Sequence, residues 1–444
     1  MEKVIIIGGV AAGMSAASQL RRLSKDVEIL VFEKGGDVSY GACGLPYYIS
    51  GVTESEEELI ARTVDQFEER GIHVYLHHDV QQVDAERKEI RVLDIHNNKE
   101  KTYQYDQLLI AVGTTPIIPP FMKENLQNVF TLKTLEDGKK MRVFFQQEHI
   151  QHVTIIGGGY IGLELVETML ELGKRVTVIE LNKQILPPFD ADIAQIIQKE
   201  LGDRVEFRLG EEVQGLINDS GKVTAVQTNE GTYETDAVVV NVGVRPNTQF
   251  VKDIGLNMLK NGAIIVNEWM ETNLPSIYAA GDCATSRHLI SRKPVNIALG
   301  TIANKQGKLV GNNLAGQRRP FPGVLGTSVV KVMELEIART GLSEKEAKEA
   351  EIPYKTVTVD ANSHASYYPG AKKMVIKLLY HPETLKLYGA QMAGEKGVAK
   401  RIDVFATAIT AGMTTEDITL LDLSYAPPFA TVWDAVQVAT RKAK

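Results

Sequence analysis

Val4-Ile-Ile-Ile-Gly-Gly-Val-Ala-Ala-Gly13 and Val153-Thr-Ile-Ile-Gly-Gly-Gly-Tyr-Ile-Gly162 are the two stretches that decide how this chain folds. Each is a β-branched run closing on a glycine turn. Each leads into an Ala- and Leu-rich helix, to about Leu23 and Leu172, and then into a second strand ending in an acid, Glu33 or Glu180. That order is the start of a βαβ dinucleotide fold. In the second copy Gly157 allows the tight turn, Gly159 lets backbone approach a pyrophosphate, and Gly162 lets the helix pack closely, while the helix N-terminus attracts phosphate. The first copy has Val10 where the middle glycine stands, so it rests on Gly8, Gly13 and Glu33. A single glycine pattern also fits an ordinary turn. Two copies, each complete with strand, helix and terminal acid, point to two separate dinucleotides.

The remaining sequence is arranged around these units. Leu108-Leu-Ile-Ala-Val-Gly113 and Val238-Val-Val-Asn-Val-Gly243 read as buried strands ending in glycine, followed by Pro116 and Pro246, which suits crossings between domains. Thr272-Asn-Leu-Pro-Ser-Ile-Tyr-Ala-Ala-Gly-Asp282 reads as a strand closing on an acid that can accept from sugar hydroxyls. Beyond about residue 325 the pattern changes to strands near 327–333, 354–359 and 374–379, then helices over 398–411 and 432–439, an α+β unit without a phosphate loop. The expected fold class is α/β, with two Rossmann-like domains and an α+β carboxy-terminal domain. Its divisions are 1–115 with 246–324, then 116–245, then 325–444.

Composition excludes several classes. With 44% apolar and 24% charged residues in 444, the chain has ample material for more than one core. A net charge of −7 argues against nucleic acid or an anionic membrane as partner, although Arg21, Arg22 and Lys25 form a local basic patch. No span approaches the roughly 18–20 apolar residues of a membrane helix. The residues from Met1 have the outline of a secretory leader but fit better as a strand entering a phosphate loop. Two cysteines cannot form a disulfide framework and match a reducing cytoplasm. No metal site is expected.

Taken together, the doubled βαβ unit, the Ala-Val-Gly strand and the Ala-Gly-Asp strand resemble the flavoprotein pyridine nucleotide:disulfide oxidoreductases along the whole chain. The resemblance implies FAD on Gly8, Gly9, Val10, Ala12, Gly13, Glu33, Lys34, Val80, Gly113 and Asp282. It implies NADH or NADPH on Gly157, Gly159, Tyr160, Ile161, Gly162, Glu180 and Gly243, with Tyr160 lying over the flavin as a gate. The Glu180 carboxylate suits a free ribose 2′-hydroxyl and so favours NADH, an effect Lys183 softens.

Ser39-Tyr-Gly-Ala-Cys-Gly-Leu-Pro-Tyr-Tyr holds Cys43 with no second cysteine four residues away. This looks like the single-cysteine branch and is most similar to coenzyme A disulfide reductases, except that Ala42 stands where Asn is frequent. A helix starting near Leu45-Pro46 is expected to lower the Cys43 pKa. Cys283, beside Asp282, reads as packing. Single-cysteine peroxidases and NADH oxidases carry a His in the first glycine loop, where this chain has Ala11, so a disulfide is the better substrate and polysulfide or oxygen chemistry the alternative.

Ser15, Gln19 and Arg22 recur at i, i+4 and i+7 on one helix face. Such a face is ordinarily solvated, and the resemblance makes it a coenzyme A face, joined by Ser39 and Asn304. In the last domain, Asn362-Ser-His-Ala-Ser-Tyr-Tyr-Pro-Gly and Leu423-Ser-Tyr-Ala-Pro-Pro-Phe resemble segments that reach across a homodimer into the partner's active site. Tyr367 and Tyr425 are then proton donors beside the partner's cysteine, whereas His364 reads as structural and Trp433 as a helix-buried interface residue. The implied reaction is NAD(P)H-dependent reduction of coenzyme A disulfide through a mixed disulfide of coenzyme A with Cys43.

Overall fold

The computed structural model describes residues 1–122 and 126–444. Its two β-branched runs sit at the centres of two parallel five-stranded sheets. In the first, Glu2–Ile7 lies between Val27–Phe32 and Gln107–Ile110, with Ile72–Tyr75 and Ile277–Ala279 at the edges. In the second, His152–Ile156 lies between Arg175–Glu180 and Ala237–Val240, with Val205–Leu209 and Val129–Phe130 outside. Both central strands are buried on both faces, which is why they read as unbroken apolar runs rather than alternating ones.

The duplication runs further than the glycine turns. Each sheet sends out a three-stranded antiparallel meander between its outer strand and the strand that returns beside the centre. One comprises His78–Asp84, Glu89–Asp94 and Lys99–Gln104, the other Val213–Asp219, Lys222–Thr228 and Thr232–Glu234. The sequence did not announce these meanders, because strands such as Lys99–Gln104 are almost wholly exposed and carry little apolar signal. The chain crosses between the two units along Thr114–Pro116 and back along Val244–Pro246, paired antiparallel. Of the expected strand from Thr272 to Asp282, only Ile277–Ala279 joins the sheet.

The last unit is a five-stranded antiparallel sheet in the order Ser328–Val332, Leu335–Gly341, Leu387–Gly394, Lys373–Tyr380, Lys355–Asn362. Leu335–Gly341 and Leu387–Gly394 were not among the expected strands. Helix Val398–Ala411 matches its expectation, and the next helix is shorter, Ala435–Thr440. Asp434 caps it by accepting from Val436 N at 2.9 Å. Trp433 therefore stands outside the helix, 42% exposed, with the Arg441 guanidinium 4.4 Å from its ring centre. That corrects the helix-buried reading.

One set of contacts joins the two segments of the first unit, and another joins the second unit to the carboxy-terminal sheet. Helix Gly300–Leu314 packs on helix Ala11–Leu23 so closely that a Cβ on Gly307 would come within 2.1 Å of Ala12 O. Between the second unit and the carboxy-terminal sheet, Lys377 Nζ lies 3.2 Å from Asp190, 2.8 Å from Asp192 and 2.6 Å from Glu344. Gln391 donates to Asp190 at 2.8 Å. Lys377 is itself almost wholly buried. Removing it strands three carboxylates, a cost of about 3–5 kcal/mol where all partners are buried. Asp192 and Glu344 keep some water, so Lys377→Met is expected at the low end, measured as a lower midpoint in thermal or urea unfolding.

Candidate active site

Each glycine turn lets a helix begin directly above the end of its strand. Gly8 has φ +104°, and a Cβ there would lie 2.3 Å from Ala111 O, while one on Gly13 would lie 1.9 Å from Gly8 O. Gly157 and Gly162 repeat the arrangement. Neither helix Ala11–Leu23 nor helix Tyr160–Glu171 has a side-chain cap or an acid in its first turn, whereas Leu135–Phe145 and Glu344–Glu349 are closed by capping boxes. First-turn N–H groups above both strands thus remain available to an anion, and no side chain fills the space at Gly159. This donor set fits a pyrophosphate at each turn.

The two terminal acids are held alike. Glu33 accepts from Gly9 N and Gly35 N, both at 2.7 Å, and Glu180 accepts from Gly158 N at 2.7 Å and Asn182 N at 2.8 Å. Lys34 pairs with Asp79 at 2.8 Å, and Val80 is buried at a register break in the first meander. Val10 occupies the N-cap position, with Ala12 buried behind it against Gly281. Gly113 and Gly243 take left-handed backbone after their strands. Asp282 lies 3.5 Å from Thr114 Oγ1 and 3.4 Å from Lys133 Nζ.

Cys43 sits in a single 3₁₀ turn, Ala42–Gly44, just before helix Leu45–Ser50. That helix rests on Tyr160–Glu171, and Thr168 donates to Pro46 O at 3.2 Å. Part of Cys43 reaches solvent, yet the crowding around its sulfur pushes the thiol pKa up. Glu164 and Asp282 push the same way, and together these outweigh Lys133 and the cysteine's own backbone N–H. The expected lowering is therefore corrected. A six-residue helix carries too small a dipole to overcome burial and two nearby carboxylates. Cys283 is fully buried, its thiol pushed up to about 12 chiefly by burial, with Sγ 3.4 Å from Ala280 O.

Beside the first glycine turn is a groove of about 590 Å³ whose walls include all five of Ser15, Gln19, Arg22, Ser39 and Asn304. The helix pair shapes it. Ser15 donates to Asn304 Oδ1 at 2.7 Å, Gln19 donates to Asn312 Oδ1 at 2.8 Å, and Gln19 Oε1 holds Arg22 at 2.6 Å. Gln19 is buried with both ends engaged, so it positions Arg22. Ser39, in left-handed backbone at φ 53°, donates its N–H to Gly9 O at 2.9 Å and ties the Cys43 loop to the turn. Arg62, Lys305 and Lys308 also line it, and sequence reasoning missed them. The signal available was the i, i+3 spacing of the two lysines. Arg21 does not belong to this basic surface, because its guanidinium donates to the carbonyls of Ser24, Lys25, Val27 and Gly71.

On the carboxy-terminal unit the Tyr367 and Tyr425 hydroxyls meet at 3.0 Å, and that bond raises the Tyr425 pKa. Both are exposed, and among the described residues neither phenol bonds to Cys43 of its own chain. His364 is buried, with Nδ1 3.0 Å from Ser363 Oγ and Nε2 3.3 Å from Pro369 O. Among the described residues no cluster of His, Cys, Asp or Glu is arranged for a metal, and no helix is long and apolar enough to cross a membrane.

Comparison with known proteins matches residues 2–307 to the pyridine nucleotide-disulphide oxidoreductase family and residues 327–436 to that family's dimerisation domain. The chain belongs to this family. The oxidoreductase is 38% identical over 444 residues, all of its length and 98% of the relative's, to the NAD(P)H coenzyme A polysulfide/persulfide reductase of Pyrococcus horikoshii. It is 32% identical, over the full length of both chains, to the coenzyme A disulfide reductase of Staphylococcus aureus. Its fold superposes with a TM-score of 0.96 on reduced Bacillus anthracis CoADR-RHD, at 37% identity, covering 99% of this chain and 80% of that one.

One acid of the oxidoreductase went unread in the sequence. Glu164 stands one helical turn after Tyr160, and burial together with the charge of Glu167 pushes its pKa up to about 7. Its only sequence signal is that i, i+4 spacing. A carboxyl near 4.5 unfolded and about 7 folded takes up a proton on folding, so its ionised form opposes the native state above pH 7. Glu164→Gln should therefore raise the thermal midpoint at pH 8, with the gain shrinking as pH falls to 5. An equal gain at every pH would contradict the raised carboxyl.

Proposed function

We propose that this oxidoreductase reduces coenzyme A disulfide to two molecules of coenzyme A with NAD(P)H, through FAD and a mixed disulfide on Cys43. The observation that carries the reading is the groove that takes in Ser39, Tyr40 and Gly41 of the Cys43 loop and is lined by the five residues expected for coenzyme A and by Arg62, Lys305 and Lys308. Four cations at the groove suit an anionic, phosphorylated thiol. The names of the Staphylococcus aureus and Pyrococcus horikoshii relatives support the class, and the second of them favours polysulfide or persulfide as the alternative substrate of the same cysteine.

In this reading residues 1–115 and 246–324 hold FAD through the first turn, Glu33, Gly113 and Asp282. Residues 116–245 hold the nicotinamide nucleotide through the second turn and Glu180, with Tyr160 over the flavin, and residues 325–444 form the dimer. FAD, when bound, carries the electron pair from NAD(P)H to sulfur. Cys43, released as a thiolate, attacks one sulfur of coenzyme A disulfide, forming the mixed disulfide and expelling one coenzyme A thiolate. Reduction of that mixed disulfide by two electrons returns the Cys43 thiolate and a second coenzyme A. Overall, NAD(P)H, one proton and one disulfide give NAD(P)⁺ and two thiols. The raised thiol pKa makes the thiolate costly in the protein alone, and Lys133 is the cation beside it that favours ionisation.

The homodimer shares its active sites, with the Tyr367–Tyr425 pair donating the proton to the leaving thiolate of the partner's site. The exposed Tyr367, Leu420, Phe429 and Val432 on the carboxy-terminal unit support a face covered by a second copy. Two reduced, non-paired cysteines suit a cytoplasmic setting.

Intact-protein mass measured before and after reductant should fall by one coenzyme A per chain. Cys43→Ser should keep FAD, carry no such adduct and lose disulfide reduction, and turnover like wild type in that variant would reject the mechanism. Dimer sharing has its own measurement, once Tyr425→Phe homodimers have shown the loss of about 10²-fold or more expected for a missing proton donor. Heterodimers of Cys43→Ser with Tyr425→Phe chains should then regain about half of wild-type activity, because one site is intact only if the phenol comes from across the interface. Activity no greater than the parents' would place the phenol at its own chain's cysteine.

A further inference from the structure

Tyr160 opens the helix after the second glycine turn, yet what holds its side chain comes from the carboxy-terminal sheet. Its hydroxyl lies 2.7 Å from Ser328 Oγ, at the start of strand Ser328–Val332. Its ring meets Phe189 edge-on with centroids 6.2 Å apart. Phe189 is fixed on both sides by the same sheet. The Pro188 carbonyl accepts from Arg339, and Asp190 donates its N–H to Gln391 Oε1 at 2.8 Å. Tyr160 and Ser328 face a common cleft of about 620 Å³ that also takes in Ile297, Ala298 and Leu299, just before helix Gly300–Leu314.

A partly buried phenol with one short bond to a neighbouring alcohol cannot swing aside without breaking that bond. We propose that Ser328 is a positioning residue that latches Tyr160 in its closed position, so that the dimerisation unit, rather than the nucleotide-binding unit, sets how easily the nicotinamide side opens. This rests on the reading of Tyr160 as the ring over the flavin. The latch is separable from the join between the two units, because Lys331 of the same strand independently pairs with the buried Glu167 of the same helix. Losing the Ser328 hydroxyl therefore frees the ring and leaves the helix where it is.

The test uses the FAD-loaded dimer and two measurements, the NADH steady state and calorimetric binding of NAD⁺ to the oxidised protein. Ser328→Ala should bind NAD⁺ about two- to tenfold more tightly and lower KM for NADH by a similar factor with kcat unchanged, the range one net hydrogen bond is worth. Ser328→Thr should restore wild-type values, Tyr160→Phe should tighten NAD⁺ binding by the same factor as Ser328→Ala, and the double variant should tighten it no further. Unchanged or weaker binding in Ser328→Ala, or additive effects in the double variant, overturns the latch. Tyr160→Leu separates this from the underlying reading. If it shifts NADH kinetics while Ser328→Ala does not, only the latch falls, and if Tyr160→Leu itself changes neither measurement, the gate falls and the latch with it.

Discussion

The contact between a helix's first turn and the carbonyl at the end of its preceding strand governs this molecule. With Gly13 Cα close enough to Gly8 O that any Cβ would overlap it, helix Ala11–Leu23 can start only directly above Glu2–Ile7. The uncapped first turn then faces the acid that ends the neighbouring strand. The same constraint at Gly157 and Gly162 builds the second unit. The Cys43 loop and the groove both depend on the first of these turns. The Cys43 loop is bonded to Gly9 through Ser39, and the groove is the outer face of the helix the turn launches.

A second close approach gives that helix face its shape. Glycines at 307 and 311 let helix Gly300–Leu314 touch the backbone of Ala11–Leu23, and only at that separation do Ser15 with Asn304, and Gln19 with Asn312, reach hydrogen-bond distance. These bonds use up the polar groups at the floor of the groove and leave Arg22, Lys305 and Lys308 at its rim. Cationic side chains at a rim keep most of their hydration and suit charge-assisted contacts, while the floor combines the buried Gln19–Asn312 pair with the more exposed Ser15–Asn304 pair.

Around the sulfur the balance is different. Burial first, then Glu164 and Asp282, outweigh Lys133, so the surroundings disfavour a thiolate. The short helix behind Cys43 does not reverse that balance. The carboxy-terminal sheet reaches the second unit through Ser328, Lys331 and Lys377, and the Tyr367–Tyr425 pair stands on the same carboxy-terminal unit.

From sequence alone one could read the doubled turn, its helices and terminal acids, the fold class, and the clustering of Ser15, Gln19 and Arg22, because glycine spacing and helical period are local properties that the chain imposes whatever surrounds it. Long-range placement was another matter. That Arg21 is spent on backbone carbonyls while Lys305 and Lys308 join the groove, that Trp433 lies outside its helix, that Glu164 is pushed toward neutrality, and that Cys43 is raised rather than lowered are all sums over neighbours distant in sequence. Charge, burial and close approach add up over space, and the spacing of residues along a chain gives no measure of them until the units have packed.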